Sequence, residues 1–114
     1  MDLPATYVAL TEGVLHTFSL SHEAGHFWAG VILYLAVLAL PQARSVPALP
    51  FLAVLCAELF NESVQAAYYG SWRVADTLAD IGWTLAVPAI LFIAASRFPL
   101  RLRAARQITH SSAG

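Results

Sequence analysis

Residues 56–84, CAELFNESVQAAYYGSWRVADTLADIGWT, decide how the chain is read. The run from 46 to 69 is otherwise apolar enough to cross a bilayer, yet it carries Glu58, Asn61, Glu62 and Gln65. Their spacing of i, i+3, i+4 and i+7 puts all four on one face of a helix. A second polar row follows at Asp76, Asp80 and Thr84. Acids are costly inside hydrophobic segments and mark a functional site by default. Such a stripe binds a cation, relays protons or hydrogen-bonds a lipid headgroup. Alternatively it is polar glue that ties one span to its neighbours.

The rest of the chain supports a membrane reading. Of 114 residues 59% are hydrophobic and 11% charged, a balance too apolar for an ordinary soluble domain. The formal net charge is −1, which argues against a nucleic-acid partner. Cys56 is the single cysteine, so no intramolecular disulfide forms. It reads as an inert buried thiol within a span. No basic n-region with a cleavage site stands at the start, so the first span is expected to be the retained insertion signal.

In order, residues 1–20 read as an amphipathic helix along the membrane interface. Leu3, Tyr7, Leu10, Val14 and Phe18 form one side, and Pro4 fits a helix start. Ser21 suits an N-cap, with Glu23 in the first turn. Residues 24–41 form a first span, in which Gly25, Ala29 and Gly30 allow close helix approach. Three prolines mark a turn at 41–50. The second span covers 48–68 and ends at Gly70. The third covers 78–96, with a kink expected at Pro88. Residues 97–114 form a basic tail containing Arg97, Arg101, Arg103 and Arg106, whose last eight residues are expected to fray.

The expected fold is therefore all-α: an integral membrane protein with three transmembrane helices and an N-terminal interfacial helix. The positive-inside rule puts the Arg tail and Arg44 in the cytoplasm and the N-terminus outside. His22, Glu23 and His26, then Glu62 and Gln65, then Asp76 and Asp80 all fall toward the outer side. Glu58 falls nearer mid-depth. Arg73 and Asp76, at i and i+3, form a candidate ion pair.

His22-Glu23-Ala24-Gly25-His26 is a literal HExxH, the pattern by which one helix supplies two zinc ligands and a general base. With Phe27 it resembles the HExGHF segment of site-2-type intramembrane proteases, and Asp80-Ile81-Gly82 resembles their third-ligand segment. That resemblance implies zinc held by His22, His26 and Asp80, with Glu23 as base. The expected Asn/Pro context before Asp80 is missing.

A broader resemblance covers residues 20–95. Glu62-x-x-Gln65, Arg73 and Asp76-x-x-x-Asp80 resemble the VanZ-like family of small bacterial membrane proteins. The block from Ala57 to Glu62, Tyr69 to Arg73, Asp80, Thr84 and Pro88 is closer still to uncharacterised α-proteobacterial proteins grouped with it. Thr84 and Val87 stand where that family commonly has Asn and Gly. The resemblance implies a bacterial inner-membrane location and an envelope-associated binding role, with a lipid or envelope precursor as partner, but no defined reaction. Weaker is the likeness of Glu58-Leu59-x-Asn61 and Asp80-x-Gly82 to bacterial diacylglycerol kinase. Ala79 replaces that enzyme's lysine, which removes the phosphate-binding cation.

Three functions follow as expectations. The first is a VanZ-like binding protein centred on Glu58, Glu62 and Asp80, with Asn61, Gln65, Arg73 and Asp76 in support. The second is a zinc-dependent intramembrane hydrolase. The third is an accessory subunit whose acids meet a membrane-protein partner.

Overall fold

The computed structural model describes residues 2–113, with side chains at all of these except 98–107, 110 and 113. The chain is built from helices: α1 (Leu3–Thr17), α2 (His22–Leu38), a short α3 (Gln42–Ser45), α4 (Leu49–Tyr69) and α5 (Val74–Ala113). Their ends follow from local chemistry. The Asp2 carboxylate accepts from the Ala5 amide at 2.9 Å and starts α1. The Ser21 hydroxyl accepts from the Ala24 amide at 3.1 Å and starts α2, with Glu23 in the first turn. Gly70 ends α4 in the left-handed region at φ 74°, where a side chain would be strained.

Helices α2, α4 and α5 pack mutually, and α1 lies against α4. Each of the three long helices buries one row at i, i+4 spacing. On α2 the row is His26, Gly30 and Tyr34; on α4 it is Pro50, Val54, Glu58 and Glu62; on α5 it is Asp80, Thr84 and Pro88. Rows of this spacing are the ridges by which helices interlock. Gly30 sets the α2–α5 approach, because a Cβ there would collide with the Thr84 carbonyl. The Gly25–Ala29 pair does not do this work: Gly25 abuts the Leu15 side chain of α1, and Ala29 is exposed. Away from the polar end, Phe51 and Phe92 stack at 5.6 Å between α4 and α5.

The polarity of this bundle is distributed in reverse of a soluble fold. Among the described residues, five polar or charged side chains are buried (His26, Glu58, Glu62, Asp80, Thr84), matching the five in the apolar core. Large apolar side chains such as Ile32, Leu35, Leu52, Phe60, Leu78 and Ile90 point outward. Exposed apolar surface of this extent marks contact with a membrane, a ligand or a protein partner.

By length and composition, Val74–Arg97 is the one described helix that meets the requirement for crossing a membrane. The expectation of three such helices is thus met at one. The reasons are physical: α2 has 17 residues, and α4 is diluted by its polar stripe. Other expectations also shift. The turn at 41–50 contains helix α3. Helix α5 runs on through the expected tail to Ala113, although the Arg101, Arg103, Arg106 and His110 side chains lie outside the described residues. It passes through Pro88, which is fully buried. Cys56 is exposed on α4, not buried between helices. The expected apolar side of α1 faces outward at Leu3, Leu10, Val14 and Phe18, while Val8 is buried.

The Gly30 contact yields a direct test. Gly30→Val forces α2 away from α5, and overpacking of this kind costs about 1–3 kcal/mol. Thermal melting followed by circular dichroism in detergent is expected to show a lower midpoint. Gly13→Ala, in open space on α1, is expected to show none.

Candidate functional site

The polar ends of the buried rows meet at one place. His26, one turn into α2, is at the centre. Its Nδ1 lies 3.0 Å from Thr84 Oγ1 on α5 and 3.3 Å from Glu58 Oε2 on α4. Its Nε2 lies 3.2 Å from His22 Nε2 and 3.3 Å from Asp80 Oδ2. Carboxylates thus stand beside both ring nitrogens, Glu58 at Nδ1 and Asp80 at Nε2, so a proton on either nitrogen has an acceptor. His22 Nε2 is in turn 3.2 Å from the same Asp80 oxygen. The two imidazoles meet edge to face, with centroids 4.7 Å apart.

Glu58 and Glu62 are each 4% exposed. Glu58 Oε1 is 3.2 Å from His26 Nδ1, but at an angle that makes no hydrogen bond, and it has no other partner among the described residues. Glu62 accepts from Asn61 Nδ2 at 3.3 Å. Asn61 Oδ1 accepts from the Tyr7 hydroxyl at 2.7 Å, which ties α1 to the cluster. Burial raises the Tyr7 hydroxyl above its ordinary pKa, and the Glu58 and Glu62 carboxylates act the same way. The phenol therefore stays a donor across the physiological range.

The structure divides the sequence candidates into two groups. His22, His26, Glu58, Glu62 and Asp80 converge, with Asn61 alongside. Arg73 and Asp76 stand apart as an exposed ion pair at 2.6 Å, with Arg73 also 5.2 Å over the Tyr69 ring. Exposed pairs of this kind add little stability. Glu23 is exposed and lies on the wall of a cleft of about 340 Å³, together with His22, Glu62, Gln65, Arg73 and Asp80. A larger, mainly apolar groove of about 920 Å³ runs between α1, α2 and α4. His22, Gln65 and Tyr69 line both, so the cleft and the apolar groove adjoin across these side chains.

Two contributors were not singled out from the sequence as site residues. Thr84 is one, although its position four residues after Asp80 is a usable signal. Tyr7 is the other: within the expected apolar side of α1 it is the residue with a polar tip.

Removing the Tyr7 hydroxyl isolates its role. Tyr7→Phe leaves Asn61 Oδ1 without its donor, a loss of about 1 kcal/mol. Hydrogen exchange is expected to speed up in α1 while α2, α4 and the start of α5 keep their protection. No family model, curated protein or solved structure matches the chain, so the functional reading rests on the site itself.

Proposed function

We propose that this is a small multi-pass membrane protein of VanZ-like type that binds an amphiphile of the bacterial envelope at an outward-facing site between its helices. In this reading α2, α4 and the first part of α5 cross the inner membrane, and α1 lies along its outer surface. If successive helices cross in opposite directions, Arg44 and Arg97 fall at one end and Arg73 at the other. The positive-inside rule then puts the C-terminus in the cytoplasm and the N-terminus outside. The helices that are short or polar by themselves are suited to crossing together, because their polar groups face inward toward one another.

The observation that supports this reading is the adjacency of the two cavities. A cleft bounded by Glu62, Arg73 and Asp80 adjoins an apolar groove, with His22, Gln65 and Tyr69 lining both. A ligand matching that shape has a polar headgroup and an apolar tail. Its headgroup meets donors and acceptors of both signs, and its tail lies where α1 covers the gap between α2 and α4.

Native mass spectrometry of protein extracted in a mild detergent tests the proposal. The wild-type chain is expected to retain one lipid-like species per protein. Glu62→Ala and Asp80→Ala are expected to lower its occupancy at least tenfold with helical content unchanged. Absence of a retained species, or equal retention by both variants, contradicts the reading.

A further inference from the structure

We infer that His22, His26 and Asp80 form a binding site for one divalent metal ion of the zinc type, with Glu58 and Thr84 fixing the orientation of His26. Three potential ligand atoms, His22 Nε2, His26 Nε2 and Asp80 Oδ2, are separated by 3.2, 3.3 and 3.2 Å around the triangle. Zinc bonds to imidazole and carboxylate of about 2.0–2.1 Å set the edges of a tetrahedron at about 3.3–3.4 Å. An octahedral face with the same bond lengths has edges of about 2.9 Å. At these bond lengths the observed triangle fits the tetrahedral edges.

Hydrogen bonding alone does not account for the triangle. A ring nitrogen is either a donor or an acceptor, never both. Three atoms in mutual contact, two of them ring nitrogens, therefore cannot share three linear hydrogen bonds under any placement of protons. A cation that accepts all three lone pairs removes the conflict. His26 is already prepared for this role, since its Nδ1 faces Glu58 and Thr84. That is the outer contact by which metal-ligating histidines are held in the required tautomer.

A second, independent observation is electrostatic. Glu58, Glu62 and Asp80 are buried together, and His26 is the one buried base among the described residues. Glu58 Oε1 has no hydrogen-bond partner there. Buried acids without compensating charge are strongly unfavourable, and a divalent ion supplies that compensation. Asp80 and His22 also line the 340 Å³ cleft, so an ion held by these three ligands has its fourth position on the cleft side. Water or a headgroup oxygen then completes the coordination. Glu23, on the same cleft wall, is the acid available to a water there.

The test uses the purified full chain in detergent, stripped with chelator and titrated with Zn²⁺ or Co²⁺ alone. One ion per chain is expected, with the strong visible absorption of four-coordinate cobalt. His22 is 52% exposed at its side chain, so His22→Ala is expected to fold normally and to weaken binding at least ~100-fold. Glu58→Gln is expected to weaken it by about 10–100-fold through loss of the outer contact. His16→Ala, an exposed histidine on α1, is expected to change nothing. Absence of saturable binding at micromolar metal, or wild-type affinity in His22→Ala, overturns the inference. Because no lipid is added, failure here leaves the amphiphile reading intact, and failure of that reading leaves this one intact.

Discussion

One imidazole touches all three long helices. His26 belongs to α2, its Nδ1 meets Glu58 of α4 and Thr84 of α5, and its Nε2 meets Asp80 of α5 and His22 of its own helix. The contacts depend on close backbone approach, which Gly30 permits one turn below by leaving room for the Thr84 carbonyl. Polar groups at helix termini commonly find water. These lie on buried faces and find each other. In an apolar medium such contacts both hold helices together and specify their register, because a shift of one turn would leave several acids without partners.

The polar cluster and the apolar exterior are two aspects of one arrangement. Outward residues on α2, α4 and α5 are large and apolar, while the inward rows carry the charges. Burial itself strengthens the inward contacts, since it excludes the water that would compete for them. Burying acids is tolerated only when they are compensated. This links the architecture to the site: the groups that position the helices are the same groups that face the cleft. Function and folding therefore draw on one set of residues, with Glu58 and Thr84 turned toward structure and His22, Asp80 and Glu62 turned toward the opening.

Much of this was legible in the sequence, and the limits have physical causes. The i, i+3, i+4, i+7 spacing placed Glu58, Asn61, Glu62 and Gln65 on one side of a helix, and HExxH placed His22 and His26 one turn apart. Antiparallel order then brought Asp80 to their level. What spacing along one helix does not contain is the partner across the gap. The stripe in fact divides, with Glu58 and Glu62 buried in the α4 row and Asn61 turned to Tyr7 of α1. Small residues signalled close packing, but only the neighbouring helix shows that Gly30 is the critical one. Helix α1 was read by its apolar stripe, whereas the contact that seats it is polar. The extension of α5 to Ala113 was missed because its four arginines read as a solvated tail.

The central claim is that His26 is held inside the protein by Glu58 and is not simply a solvated histidine. Nitrogen-15 NMR of histidine-labelled protein in lipid nanodiscs measures this most directly, by comparing wild type with Glu58→Gln. The account predicts a His26 ring with its proton fixed on Nδ1, protected from solvent exchange, whose signal shifts when Glu58 becomes glutamine. A His26 ring that exchanges freely with water and is indifferent to Glu58→Gln would contradict it.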